Sequence, residues 1–567
     1  MIQPEITFNH VTFKYFAQKY PTLKDISFSV QKGEKILIVG HSGSGKSTLG
    51  NLLNGLIPFS YGGLLEGSIN LRGQDLKRSS IAERSRKIGT VLQDTDAQFL
   101  GLTVGEDVAF SLENDCVPLD EMKARVNDAI EKVHLRDSMK HSPYELSGGQ
   151  KQRTALAGIL VDDVDTLLFD EPLANLDPET GKYAIELIDE IHQTTQKTII
   201  IIEHRIEDVL HRHVDRILIM DDGNLVGDDT PDALLKSSVF VECGLREPLY
   251  VALLRESGHA LDTLKSLDNV HQIEGLDIPF LKNWVESVTL PDSIAHSNKA
   301  IEMRNVSHQY GHTPVLKDVS FTINEGEMIA LVGENGAGKS TLAKVICGFE
   351  THQAGDIYID SVKINEMPIV DRAKKVGFVM QNPNHMITKQ TVKEEVLFGL
   401  ELAGIDKDKL REKLDSILEV CGLLRQKEWP ISALSYGQKK RVTIAAILIL
   451  EPQIIILDEP TAGQDYKHYT EIMNFIQHLN TNYGYTIILI THDMHLMLEY
   501  THRSIVLKGG QIIKDAESSD ILTDLKTVKE ASLKETSIFY MAEKIGVSPK
   551  DLVDRFIYAE KHRGLNE

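Results

Sequence analysis

The 567-residue chain carries 61 lysine and arginine residues against 83 aspartate and glutamate residues, a formal net charge of −22 at pH 7. With 42% hydrophobic and 25% charged residues the composition is globular, neither disordered nor fibrous. The acidic balance argues against a protein whose main task is to grip a nucleic-acid backbone, although a local basic patch stays open.

Cys116, Cys243, Cys347 and Cys421 form no CxxC pair, so neither a disulfide scaffold nor a zinc site is suggested, and a reducing compartment is the simple reading. The start, Met-Ile-Gln-Pro-Glu-Ile, lacks the basic and apolar regions of a signal peptide. No run of about 18 apolar residues occurs, since even the apolar stretch 444–457 is broken by Glu451 and Pro452. Work at a membrane would need spans supplied by other subunits.

In chain order, Lys35-Ile-Leu-Ile-Val-Gly40 reads as a buried strand ending in glycine. It runs into Gly40, His41, Ser42, Gly43, Ser44, Gly45, Lys46, Ser47 and Thr48, which fit GxxxxGK[ST] directly after a strand. Such glycines let backbone N–H groups curl toward phosphates, and the following helix adds its positive end. Lys46 would reach the β and γ oxygens, and Ser47 would place its hydroxyl on Mg²⁺. Beyond Gln93 the texture turns helical. Met122, Val126, Ala129, Ile130 and Val133 share one face, with Asp120 as the predicted N-cap. Leu146 is followed by Ser147, Gly148, Gly149 and Gln150, a hydroxyl and bare N–H groups opening a helix, which makes a second phosphate cradle.

Thr166-Leu-Leu-Phe-Asp170-Glu171 is an apolar strand ending in two acids, a rare pattern unless something cationic sits there. Asp170 fits the Mg²⁺-side acid. Glu171 fits a general base that orients and deprotonates water for attack on the γ-phosphate. Adjacent strand positions point to opposite faces, so the sequence leaves open where Glu171 aims.

The chain then repeats itself. Gly333, Glu334, Asn335, Gly336, Ala337, Gly338, Lys339, Ser340 and Thr341 return the first loop, shifted by 293. Leu434, Ser435, Tyr436, Gly437 and Gln438 return the second cradle, and Asp458 and Glu459 return the acids, both shifted by 288. His204 and His492 also differ by 288, and each follows its aspartate by 34 residues, which lifts them out of the 21 histidines. His211 and His213 have no such support and read as surface. Leu245-Arg-Glu and Gly258 recur as Leu533-Lys-Glu and Gly546, so each half carries its own C-terminal appendix. In the second half, Leu410, Leu414, Ile417, Leu418 and Cys421 form a helical face closed by Gly422, and Ser548-Pro549 marks a helix start in the tail. The expected organisation is an α/β domain over residues 1–242, a helical appendix over 243–270, a linker over 271–298, a second α/β domain over 299–530 and a helical appendix over 531–567. Extended, that linker would reach some 90 Å, at roughly 3.3 Å per residue.

This motif set, in this order and given twice, resembles the nucleotide-binding domain of the ABC (ATP-binding cassette) proteins over nearly the whole chain. The resemblance implies two P-loop NTPase domains in tandem, each a RecA-like α/β core with an antiparallel β part and a helical subdomain. It implies ATP and Mg²⁺ as ligands. Tyr15 and Tyr310 match the aromatic that stacks on adenine. Gln93 and Gln381 match the glutamine that touches Mg²⁺ and water and senses a transmembrane partner. Asp177 and Asp465 match the aspartate after the acid pair, and His204 and His492 match the γ-phosphate histidine. The family sandwiches ATP head to tail. Site one would then join Lys46, Glu171 and His204 with Ser435 and Gly437. Site two would join Lys339, Glu459 and His492 with Ser147, Gly148 and Gly149. Tyr436 departs from the signature glycine and Gln464 from the leucine usual before the second aspartate.

The text after each glutamine resembles the energy-coupling-factor ATPases, which power vitamin and metal importers. It reads Gln93-Asp-Thr-Asp-Ala-Gln98-Phe99 with Thr103 to Asn114, and Gln381-Asn-Pro-Asn with Thr391 to Glu401, where His385-Met386 departs from the usual Gln-Phe. Those systems add a transmembrane coupling subunit and a small substrate-binding membrane protein, and would place this chain at the cytoplasmic face of the membrane. Residues 93–114 and 381–402 are the expected docking surfaces for the coupling subunit; their apolar residues could instead only pack the helical subdomain. A ribosome-acting tandem ABC protein is the first competitor, but its long basic linker is missing, since residues 243–300 hold five basic against eight acidic residues. A DNA-repair ATPase would carry zinc cysteines. A sugar-importer ATPase is the second competitor, and the glutamine segments argue against it. Both sites keep lysine, acids and histidine, while Tyr436 alters one. Single-turnover hydrolysis by Glu171→Gln and Glu459→Gln should therefore leave unequal residual rates; equal rates would remove the asymmetry.

Overall fold

In the computed structural model, residues 3–93, 98–174, 176–291, 298–402 and 407–562 are described, the side chains of 401–412 excepted. Residues 94–97 of the first glutamine segment, 292–297 of the expected linker, the Leu410 side chain and the last five residues of the tail lie outside that description. The chain divides into two compact units, Met1–Ile278 with Asp465–Lys467, and Pro279–Gln464 with His468–Glu567.

In the first unit a six-stranded sheet runs in the order Asn224–Asp229, Arg216–Asp221, Lys35–Gly40, Thr198–Ile202, Thr166–Asp170, Ile88–Val91. All neighbours are parallel except the outer hairpin of the first two. Its central strands are continuous apolar runs because helices cover both faces: Ile36 to Val39 and Ile199 to Ile202 are all buried. An antiparallel sheet of Leu23–Val30, Ile6–Tyr15, Gly63–Leu71 and Gln74–Asp75 lies over helix Lys46–Asn54. Phe8 and Phe28 stack there with centroids 4.6 Å apart, inside one apolar cluster with Leu49, Leu52 and Ile202. Helices Val104–Asn114, Leu119–Lys132 and Gly148–Leu160 form the helical part.

The second unit repeats the plan, with strand order Val376–Val379, Ile454–Asp458, Thr486–Ile490, Met328–Val332, Arg503–Lys508, Gln511–Glu517. Its antiparallel sheet is Thr313–Asn324, Lys299–Tyr310, Ala354–Ile359 and Val362–Lys363, and its helices include Val392–Leu402, Lys407–Val420 and Tyr436–Leu448.

Three local features differ from the sequence reading. Helix Leu119–Lys132 starts after Pro118, so Asp120 is an acid in the first turn and not the cap. Only Leu414, Leu418 and Cys421 of the expected second face are fully buried among the described side chains. The stretch 271–298 is not all extended connector, because Ile278–Ser287 forms a helix that buries Leu281 and Val285. Arg555, on the C-terminal helix Pro549–His562, donates to the Val285 carbonyl at 3.0 Å. That helix starts as expected, with Asp551 N donating to Ser548 Oγ at 3.4 Å. Phe8→Ala should empty a fully buried, stacked position and cost about 3–5 kcal/mol, read as a lower denaturant midpoint for the first unit.

Candidate active site

Each glycine-rich loop leaves the C-terminal end of a central strand and enters a helix, Lys46–Asn54 or Lys339–Cys347. The loop glycines answer specific demands. Gly45 and Gly338 sit at φ 106° and 104°. A Cβ on Gly40 would lie 2.3 Å from the Met220 carbonyl oxygen, and one on Gly333 would lie 2.0 Å from that of Leu507. The loop wraps its own lysine: Lys46 Nζ donates to the carbonyls of Gly40 (2.7 Å) and His41 (2.9 Å). Lys339 Nζ does the same to Gly333 (2.7 Å) and Glu334 (2.9 Å). Burial pushes the Lys46 ammonium down to about 8, against the opposing pull of Glu171. Tyr15 Oη lies 3.1 Å from Thr48 Oγ1, while Tyr310 is exposed and donates to Glu350 Oε1 at 3.1 Å. His41 Nε2 lies 3.0 Å from Asp221 Oδ1, and its Nδ1 lies 2.8 Å from the carbonyl of Ser42 in the loop.

The aim of the glutamates is set by the backbone. Glu171 and Glu459 follow their strands at φ 50° and 45°, a left-handed conformation rare outside glycine. Their amides still close the sheet, donating to Ile202 O and Ile490 O at 2.9 Å. That twist brings Glu171 Oε1 to 3.0 Å from His204 Nε2 and Oε2 to 2.6 Å from Gln93 Nε2. Glu459 Oε1 lies 2.7 Å from His492 Nδ1. Burial works to raise the Glu171 carboxyl, but the hydrogen bond and field of His204, with Lys46, outweigh it and hold Glu171 below its ordinary value.

The aspartates behave as ligands in want of a cation. Asp170 Oδ1 is buried with no hydrogen-bond partner, and burial with the neighbouring Glu171 pushes the carboxyl up to about 6. Burial raises Asp458 too, opposed by a hydrogen bond from Ser340. A divalent cation would reverse both penalties, so the donor set of serine hydroxyl and carboxylate fits Mg²⁺.

The signature segments open helices Gly148–Leu160 and Tyr436–Leu448 through capping boxes. Ser147 N donates to Gln150 Oε1 at 3.0 Å and Gln150 N to Ser147 Oγ at 3.4 Å; Ser435 and Gln438 repeat this at 3.0 and 3.2 Å. Gln150 and Gln438 therefore shape the helix start. Asp177 Oδ1 accepts from Thr180 N at 2.9 Å and caps helix Pro178–Thr195, and Asp465 directly precedes helix Tyr466–Tyr483.

Two residues escape the motif reading. Glu203, 3% exposed, accepts from the amides of Leu173 (3.1 Å) and His204 (2.8 Å), tying the loop after the acids to the histidine. Its adjacency to His204 at a strand end was the available signal. Lys440, 2% exposed, donates to the carbonyls of Met380 (3.0 Å) and Gln381 (2.6 Å). Burial lowers it to about 8. Its place on the face of buried Ile444 and Leu448 was the signal.

The ABC transporter family matches residues 23–174 and 316–462, and a family described as ATP-binding cassette cobalt transporter matches residues 237–308. A relative from Clostridium perfringens (strain 13 / Type A), whose given name is that of an ABC transporter ATP-binding protein, is 50% identical over 97% of this chain and 98% of its own length. A similarly named relative from Enterococcus faecalis is 49% identical over 98% of both chains. A solved structure, CbiO1 from Clostridium perfringens, described as part of the ABC transporter complex CbiONQ, is 31% identical with a TM-score of 0.39, covering 44% of this chain and 100% of that one. The chain belongs to the ABC transporter ATP-binding proteins, with two ABC domains in one polypeptide. It is an ATP hydrolase coupled to transport.

A phosphate beside Lys46 favours the charged lysine. At pH 8.5 nucleotide binding should therefore take up a proton, and at pH 7, where Lys46 is already charged, the uptake should shrink. Calorimetry in two buffers of different ionisation enthalpy reads this, and Lys46→Met should remove the share of the uptake that belongs to its own site.

Proposed function

We propose that the chain is the ATP-hydrolysing subunit of an energy-coupling-factor type importer for a vitamin, metal ion or similar small solute. The observation that supports the importer type is the match of residues 237–308 to the family described as ATP-binding cassette cobalt transporter. Among the described residues no helix is long and apolar enough to cross a membrane. The proposed partners are a transmembrane coupling subunit and a small substrate-binding membrane protein, and the proposed place is peripheral, at the cytoplasmic face. Residues 93–114 and 381–402 are the proposed docking surfaces. In the first, Leu100, Leu102 and Phe110 are exposed at 68%, 82% and 42%, whereas Val104, Val108 and Leu112 pack inward. The proposed domain limits are 1–242 and 299–530, with appendices 243–270 and 531–567.

At each site the loop amides of 40–48 or 333–341 and the lysine hold the phosphates, and Tyr15 or Tyr310 faces adenine. Asp170 with Ser47 and Gln93, or Asp458 with Ser340 and Gln381, would hold Mg²⁺, which neutralises charge on the phosphate oxygens. Glu171 or Glu459 orients water and takes its proton as the water oxygen bonds the γ-phosphorus and the bond to the β-bridging oxygen breaks. His204 or His492 holds that carboxylate and faces the γ-phosphate. The reading keeps the head-to-tail pairing of the two halves through Ser435 and Gly437, and Ser147, Gly148 and Gly149.

Affinity capture of the chain from detergent-solubilised membranes, followed by mass spectrometry, should retain integral membrane proteins. Ribosomal proteins in their place would overturn the importer reading. Lys46→Ala or Lys339→Ala should lower hydrolysis at its own site on the order of 10³-fold.

A further inference from the structure

Among the described residues, the second half contains a set of contacts that the first lacks. Helix Tyr436–Leu448 carries Lys440 on the face it buries. A cation there is costly unless its protons find acceptors. The acceptors it finds are not in the core but on the glutamine segment, the carbonyls of Met380 and Gln381. Tyr436 Oη donates to the same Gln381 carbonyl at 3.3 Å, and Lys439 Nζ donates to Asn384 Oδ1 at 3.4 Å. Gln381 lies just beyond strand Val376–Val379, where sheet pairing no longer holds the peptide. Pinning its carbonyl fixes that peptide plane, and with it the direction in which the Gln381 side chain leaves the backbone.

The 288-residue shift makes Gly148 and Gln152 the counterparts of Tyr436 and Lys440. Gly148 has no side chain to offer. Gln152 donates instead to the Pro172 carbonyl, in the loop after the acid pair. The same helix is thus tied to different loops in the two halves.

We propose that Lys440 is a positioning residue of the second nucleotide site, forming with Tyr436 a latch that couples the signature helix to Gln381. The inference rests on the reading of Gln381, Asp458 and Glu459 as that site. The latch makes Tyr436 more than a lost glycine: it holds the segment that senses the membrane partner. It also gives the second half a stiffer link between signature helix and glutamine than the first.

The test uses single-turnover ATP hydrolysis by the full chain, in a Glu171→Gln background that leaves site two active and in a Glu459→Gln background that leaves site one active. Lys440→Gln installs the first-half residue. In the former background the rate at saturating ATP should fall on the order of 10-fold, with the half-saturating ATP concentration changed less than about twofold. In the latter background the rate should change less than about twofold, and Lys440→Arg, which can still donate to both carbonyls, should restore the former. Tyr436→Phe removes only a hydroxyl from a partly exposed ring. It should move the rate the same way, by about twofold, at an unchanged melting temperature. It keeps the test open if Lys440→Gln folds poorly. Unchanged rates, or equal falls in both backgrounds, overturn the latch. If the Glu171→Gln/Glu459→Gln double variant hydrolyses ATP at the wild-type rate, the site reading itself falls, a result separate from any at Lys440.

Discussion

A lysine ammonium taken out of water beside two carboxylates is the constraint around which each half is arranged. Lys46 and Lys339 are 4% and 7% exposed. A charge so placed survives only with its protons satisfied, and the loop carbonyls of Gly40 and His41, or Gly333 and Glu334, do this. Those carbonyls can reach inward only because a strand buried on both faces delivers the loop and because Gly40 and Gly333 tolerate contact with a neighbouring strand's backbone. The parallel sheet and its glycines therefore exist, in mechanical terms, to hold one cation near Asp170 or Asp458. An arriving phosphate gives that lysine a better partner than a neutral carbonyl.

Matching motifs do not produce identical electrostatics. Glu171 meets its histidine through Nε2, Glu459 through Nδ1. Asp170 leaves an oxygen unpartnered, whereas Asp458 takes a hydrogen bond from Ser340. A buried glutamate, Glu203, stiffens the loop behind His204, while Thr491 stands at the matching place and bonds Asp493 N at 2.9 Å. These differences set the two sites apart independently of the residue at position 436.

The motifs themselves were legible because chemistry dictates their spacing: a loop that curls around phosphate, a strand that ends in acids, a histidine one strand away. The α/β plan and the duplication followed from the same residues. What the sequence did not disclose depends on quantities it does not carry. The aim of Glu171 turns on a positive φ that no neighbouring residue announces. Asp120 looked like a cap because the pattern was read without Pro118, whose fixed φ already begins the turn. Helix Ile278–Ser287 carries Ile278, Phe280, Leu281, Trp284 and Val285 at helical spacing, a pattern the linker reading passed over, and its partner Arg555 lies far along the chain. Lys440 shares a helix face with buried Ile444 and Leu448, but the acceptors that make its burial tolerable belong to the glutamine segment, whose approach the helix pattern alone does not reveal.

The signature glycines differ in how closely their surroundings approach. A Cβ on Gly149 would lie 2.3 Å from Thr180 Cγ2, so a side chain there requires Thr180 to move, whereas one on its counterpart Gly437 would meet only His468 Cδ2 at 4.0 Å. A Cβ on Gly148 would meet only Leu176 Cδ2, at the ordinary distance of 3.4 Å. The helix start therefore accepts a side chain at the first position without strain, and Tyr436 occupies that position in the second half with its capping box intact. The replacement is thus no folding accommodation. Its consequences fall on what approaches the helix start from outside and on what the tyrosine itself can hold, which is the carbonyl of Gln381.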